Sequence, residues 1–403
     1  MTPRILHIGL GNFARAHLVD YTQDAGGWQV TGVSLRSPTV RDGLRAQGYG
    51  YGLAIQGRGV KQIDVLDDVL VAPEAPGAVL AQIADANVHI ISVSVTEKGY
   101  HLTPDNLLDL DDPLIAQDLA GEGPQTVIGF LARGLAVRET PVTVMSCDNR
   151  ANNGDVLKAA VVTFAAEARL DMRKVQARFP NSMVDRITPA TTDVLRAETG
   201  DPMVVPTEPF REWVIEDHFA GPRPDWPDVV FTKHVAPHEM RKLRMLNGAH
   251  SMLAYAGTLA GHEFVHDAMA DATLRAQTRA LMGEAARTLS PEMQQIAPAY
   301  VDALTARFDN PHMGHSLRQI AMDGTQKLPY RIIDSLRALG GDAPALVAGV
   351  RAWIGFCRAE VAAGRKLQDP KAEIIMDIVT SGGSDEQLLA LIGAQNLAGV
   401  ILE

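Results

Sequence analysis

The pattern of apolar positions changes character near residue 236. Before it, short unbroken apolar runs at 4–9, 88–95 and 141–145 alternate with segments of helical periodicity, and glycines and prolines punctuate the joins. Runs of that length read as strands buried on both faces, and their alternation with helices predicts a doubly wound parallel sheet. Helices are expected near 76–84, 125–137 and 154–168, and a strand pair at 51–56 and 62–66 with Gly57 and Gly59 in its turn. After 236 the period is almost wholly helical, interrupted only at 309–311, 340–341 and 381–383. The pattern therefore predicts an α/β domain over 1–236 and a mainly α-helical domain over 237–403.

The first strand runs into the spacing G-x-G-x-x-A, with Gly9, Gly11 and Ala14 at the fixed positions, and a helical segment follows. The first glycine permits a tight turn, the second leaves the backbone bare toward a pyrophosphate, and the small third residue lets helix pack on strand. Gly9, Gly11, Asn12, Phe13 and Ala14 are thus candidate contacts for a dinucleotide. At the end of the second strand, 29–36, such folds often place an acid against the adenine ribose. Here Ser34, Arg36 and Ser37 stand there and Asp42 lies further on, which taken alone favours the extra phosphate of NADP. The strand at 88–95 is closed by residues 96–100, where a cofactor-facing loop belongs.

The second domain opens just after Pro237 with a helical segment whose apolar residues Met240, Leu243, Leu246 and Leu253 recur at helical spacing. At about 100° per residue, Glu239, Lys242, Asn247 and His250 fall within an arc of about 140°. A carboxylate, an amine, an amide and an imidazole on one side suit proton transfer at a reacting oxygen, although a solvated charged face has the same residues. Asn149 follows the strand at 141–145, where ligands of such sheets collect; a turn asparagine capping the next helix looks alike. Asp185 and Arg186 read either as site groups or as an ion pair. Around Asp323, Gly324 and Pro329, a helix is expected to stop and to bring basic side chains (Arg318, Lys327, Arg331) to a turn.

His262, Glu263 and His266 fit H-E-x-x-H, which binds zinc when both histidines share a helix face. No third ligand follows at a familiar spacing, so packing is expected of them and no metal site is expected. A formal charge of −11 disfavours nucleic acid and anionic membrane as partners. Two cysteines, Cys147 and Cys357, make no disulfide framework, and a cytoplasmic setting is expected. No apolar run approaches the ~18 residues that span a bilayer. A strand and a glycine turn begin almost at once, so no leader peptide is expected.

Four pieces, taken in order, resemble the polyol-specific long-chain dehydrogenase/reductase family, also called the mannitol dehydrogenase family. They are residues 9–17, 146–149, 179–189 and 242–250, the last with the lysine-x4-asparagine-x2-histidine element. Residues 245–255 and 319–329 look most like its fructuronate reductase (D-mannonate oxidoreductase) branch. The resemblance implies a Rossmann-type domain before a helical one, and a metal-independent hydride transfer between a nicotinamide and a secondary alcohol carbon. The expected substrate is a sugar acid of the D-mannonate/D-fructuronate type, the alternatives being a polyol or a non-catalytic nucleotide-binding role. It implies that Lys242 is the general acid/base, needing its free pKa of about 10.4 lowered. Asn149, Asn247 and His250 would hold the reacting oxygen, and Glu239 would relay the proton. Asp185, Arg318, Lys327 and Arg331 are the implied substrate contacts. Relatives with a similar Leu35-Arg36 pair look to use NAD, so NAD is the expected cofactor despite the arginine. The chain is shorter than most of these relatives, which leaves the choice of sugar open.

Overall fold

In the computed structural model, which describes residues 2–121 and 123–403, the chain forms two units, Met1–Ala236 and Pro237–Glu403. The strands of the first unit are β1 (Arg4–Ile8), β2 (Gln29–Ser34), β3 (Tyr51–Ile55), β4 (Gly59–Ile63), β5 (Leu66–Val71) and β6 (Val88–Val93). They continue with β7 (Val142–Ser146), β8 (Ala177–Arg178), β9 (Ser182–Asp185), β10 (Val205–Thr207), β11 (Glu212–Glu216) and β12 (Val229–Thr232).

Six of them make one parallel sheet in the order β5-β2-β1-β6-β7-β8. Its two faces explain why the strands read as unbroken apolar runs. In β1, Leu6 and Ile8 pack into one core and Ile5 into another, all fully buried. His7, on the same strand, pairs its Nδ1 with Ser92 Oγ at 2.8 Å, and burial lowers its pKa to about 4, so it is neutral. The strand order reverses between β1 and β6, which opens a crevice at their carboxyl ends. The expected strand pair is present as the antiparallel β3–β4 hairpin, but its second strand is earlier than expected. Gly59 pairs with Ile55 rather than turning, β4 ends at Ile63, and Leu66 already begins β5. β10 joins the hairpin in a separate small sheet. A third sheet, β12-β11-β9, and the edge strand β8 are too short to leave a period in the sequence.

The helix after the glycine turn is interrupted. Asn12–Ala16 and Leu18–Ala25 are separate, broken at His17. Arg186 bonds both the Ala16 carbonyl and Asp20, taking up an acceptor that the break leaves without a helical partner. Arg186 is therefore paired with Asp20, within a buried cluster that includes Lys61 and Arg211.

The second unit is helical, around one continuous core that includes Met245, Leu246, Ala249 and Met252. Two segments depart from α geometry: Lys242–Asn247 and Pro329–Ile333 are π turns. The first continues the helix Ala236–Arg241 and leads into Gly248–Leu259, with the Gly248 N–H bonded to the Leu243 carbonyl five residues back. Its wider turn shifts the register, so the expected apolar face is only half right. Leu246 and Leu253 are buried, but Met240 is 37% exposed, and Met245 takes the core position. The second π turn corrects another expectation. Pro329 does not stop the helix Gly324–Leu328, which passes through the π turn into Asp334–Ala338. Proline lacks the N–H that an α-helix needs there, and re-registering the turn accommodates it. Among the described residues no helix is long and apolar enough to cross a membrane.

Candidate active site

In the first unit, a cleft of about 800 Å³ lies at the carboxyl ends of β1, β2 and β6, lined among others by Gly9, Gly11, Arg36, Ser37, Lys98 and Thr126. Gly9 has φ +97°, and a Cβ there would come within 2.0 Å of the Ser94 carbonyl oxygen, so only glycine fits. At Gly11 a Cβ would meet nothing nearer than 4.0 Å, which leaves bare backbone along the cleft wall. This is the cradle that a pyrophosphate requires, and the residues present fit a dinucleotide. Asn12, Phe13 and Ala14 also hold the turn together. Asn12 bonds Thr191 and Arg15, Phe13 stacks on His17 with centroids 5.0 Å apart, and Ala14 is buried.

Past the end of β7, Asn149 is exposed while its neighbour Asp148 ties two loops together. The Asp148 carboxylate accepts from Val95 N–H at 3.0 Å and from the Tyr100 hydroxyl at 2.7 Å. Burial raises its pKa to about 6 against those hydrogen bonds. Asn153, which sequence reasoning passed over, fixes this region from beneath. Its amide donates to the Ser146, Asp148 and Ser182 carbonyls, and its oxygen accepts from Ser182 N–H at 2.8 Å. That joins the end of β7 to the start of β9, which carries the buried Asp185. Cys147 is buried with its thiol pKa pushed far up, a packing residue and not a nucleophile.

In the second unit the π turn decides how the polar residues line up. Positions five apart lie about 140° apart on an α-helix, but a turn closed by i to i+5 bonds brings them nearly into line. Lys242 and Asn247 are such a pair, and His250 follows three residues later in the α-helix that continues it. Lys242 and His250 are each only 8% exposed, while Glu239 and Asn247 are half-buried. Burial, and then His315, Arg307 and Arg331, hold the His250 pKa well below the ordinary value, so its imidazole is neutral at neutral pH. Arg241 and Arg244 point elsewhere: Arg241 lies over the Tyr300 ring at 4.2 Å and Arg244 bonds Thr288.

Both units match a family model, the mannitol dehydrogenase Rossmann domain over residues 3–228 and the mannitol dehydrogenase C-terminal domain over 234–399. The chain belongs to the mannitol dehydrogenase family. It is an oxidoreductase. The D-mannonate oxidoreductase of Escherichia coli (strain K12) is 36% identical over 98% of this chain and 88% of that protein. A mannitol 2-dehydrogenase of Phaeosphaeria nodorum is also 36% identical, over 92% of this chain and 72% of its own. Among solved structures, Pseudomonas fluorescens mannitol 2-dehydrogenase in ternary complex with NAD and D-mannitol aligns with a TM-score of 0.79. Its identity is 34%, over 99% of this chain and 87% of that one.

Within this mannitol dehydrogenase fold the three basic candidates fare differently. Arg318 is held by Glu360 at 2.7 and 3.4 Å, and Glu360 also grips Arg365. Lys327 donates to the Met322 carbonyl at 2.7 Å and faces Asp323 at 3.5 Å; burial and then the Arg331 charge lower its pKa. Arg331 is placed beside the segment that follows Lys242, bonding Ser251 Oγ at 3.1 Å and the Asn247 carbonyl at 3.5 Å. The zinc-like spacing is split by a helix end. Gly248–Leu259 finishes before His262, Val265–Ala270 begins after Glu263, and the two histidines do not share a helix face. His262 faces Asp271 and His266 lies against Asp267 and the Phe264 ring.

Proposed function

We propose that this chain is a metal-independent, NAD-dependent oxidoreductase of sugar acids of the D-mannonate/D-fructuronate type, with Lys242 as its general acid/base. The observation that carries the reading is the alignment of Lys242, Asn247 and the neutral His250 along one face, with Arg331 beside them. The glycine turn would hold the dinucleotide, whose nicotinamide would accept hydride from the alcohol as NAD+ or give it to the ketone as NADH. The residues of the chain manage the proton and the oxygen. In oxidation Lys242 takes the proton of the substrate hydroxyl, and in ketone reduction it returns it. Asn247 donates an amide hydrogen to the oxygen as charge develops on it, and His250, being neutral, donates from one ring nitrogen without competing for the proton. Glu239, three residues before Lys242, passes the proton on toward water. Asp185 orients the substrate.

Support for a carboxylate-bearing substrate comes from the cationic surroundings of His250 and from the likeness to D-mannonate oxidoreductase. Equal identity to mannitol 2-dehydrogenase favours the second reading, a polyol 2-dehydrogenase. A panel of D-mannonate, D-fructuronate, D-tagaturonate, D-mannitol and D-arabinitol with NAD(H) and NADP(H), followed by NAD(P)H absorbance, separates them. The highest kcat/KM is expected on a sugar acid with NAD(H). Turnover of polyols alone replaces the substrate, and silence across the panel returns the chain to a nucleotide-binding role.

A further inference from the structure

The segment with the zinc-like spacing holds a different histidine in place. Phe264 and Ser316 form an antiparallel bridge, flanked by Val265 N–H bonded to the His315 carbonyl and Leu317 N–H bonded to the Glu263 carbonyl, both at 3.0 Å. With its backbone pinned from both sides, His315 presents its ring edge-on to His250, the centroids 5.2 Å apart. His250 is backed by Phe308 at 4.5 Å. Arg331 is anchored on Asn247 and Ser251, on either side of His250 in sequence.

Burial first, and then the Arg307 charge, makes a proton on the His315 ring unfavourable; at His250 burial is followed by His315, Arg307 and Arg331. An anion among these groups lowers their mutual repulsion and accepts charge-assisted hydrogen bonds from the guanidinium. A carboxylate and the reacting alcohol sit on one short carbon chain. The group that reads the first must therefore lie within a few ångström of the group that holds the second, the scale of the His250–His315 separation. Arg318 and Lys327 are engaged with Glu360, Asp323 and a backbone carbonyl.

We propose that His315 and Arg331 receive the substrate carboxylate, making His315 the residue that tells a sugar acid from a neutral polyol. The inference rests on the sugar-acid reading above and adds to it the group that recognises the acid.

The test uses the full chain with His315→Leu, Arg331→Met and His315→Gln, the last keeping a hydrogen-bond donor. Steady-state kcat and KM are measured with D-mannonate and with D-mannitol at saturating NAD; a polyol that is bound but not turned over is scored by its inhibition constant. His315→Leu and Arg331→Met should each raise KM for D-mannonate about tenfold or more, the loss of one charge-assisted or buried hydrogen bond. The preference for mannonate over mannitol should fall by a similar factor, and His315→Gln should recover most of it. Equal losses on both substrates, or an unchanged mannonate KM, overturn the proposal. NAD affinity and thermal melting confirm that each variant is folded, and His315→Leu, at a half-buried site, carries the test if Arg331→Met is not. A wild-type enzyme that ignores sugar acids and oxidises polyols removes the underlying reading and this inference with it, before any variant is made.

Discussion

A methyl group on Gly248 would stand 3.0 Å from the carbonyl oxygen of Arg331. The bare Cα lets the two π turns, Lys242–Asn247 and Pro329–Ile333, pack against each other. One turn aligns Lys242 with Asn247, and the other carries Arg331 to the Asn247 carbonyl. A single close approach therefore sets the proposed proton-transfer face and the neighbouring cation in one register.

Gly248→Ala tests that dependence. Alanine in place of a helical glycine gains about 1 kcal/mol in propensity, while overpacking against backbone costs about 1–3 kcal/mol. The neighbour is a main-chain oxygen, so the cost should win. A fall of a few degrees in melting temperature and a larger proportional loss in kcat than in NAD affinity are expected. A variant that is both more stable and fully active would show that the two turns have slack between them.

Gly9→Ala probes the other unit. The site combines a left-handed φ with a Cβ position only 2.0 Å from the Ser94 carbonyl, so the turn must move for alanine to fit. Affinity for NAD, read by calorimetry or by quenching of protein fluorescence, should drop at least about tenfold, a shift of 1.4 kcal/mol. Unaltered binding would mean that the cleft recognises its ligand without this turn.

Lys242→Ala should separate binding from chemistry. If the amine is the general acid/base, kcat near neutral pH falls by about 10²–10⁴, and the dissociation constant for NAD stays close to that of the wild type. Comparable losses in cofactor affinity and turnover would assign the lysine a structural task.

The sheet was legible because strands covered on both faces leave unbroken apolar runs, as in β1, β6 and β7, and the glycine turn carries its own backbone logic at Gly9. Lys242, Asn247 and His250 were legible as a set, but their true alignment was not. Periodicity assumes 100° per residue, and nothing in the local sequence announces the i to i+5 bond that redirects Met240 and Met245. Pro329 misled for the same reason. Asn153 and His315 were hidden because each works through partners distant in sequence, Ser182 for one and His250 for the other. Asp20, the partner of Arg186, lies too far away in the chain for any spacing rule.

Asp148 gives a pH dependence with a definite sign. An unfolded aspartate titrates near 3.9, and in the folded chain burial raises this one to about 6. The folded state then holds the proton more tightly, so the contribution of this group to stability is complete below about pH 4 and is lost as pH rises through 6. The loss is on the order of 2 kcal/mol for a half-buried carboxyl. Asp148→Asn keeps an oxygen to accept from Val95 N–H and from Tyr100, and cannot ionise. Urea unfolding of the two proteins between pH 4 and 8 should therefore show the variant gaining on the wild type between pH 4 and 6, then a constant advantage above. Subtracting the two curves cancels every other titrating group. A difference that is flat across the range, or one that grows as pH falls, would place the Asp148 carboxyl at or below its ordinary value and remove the burial argument.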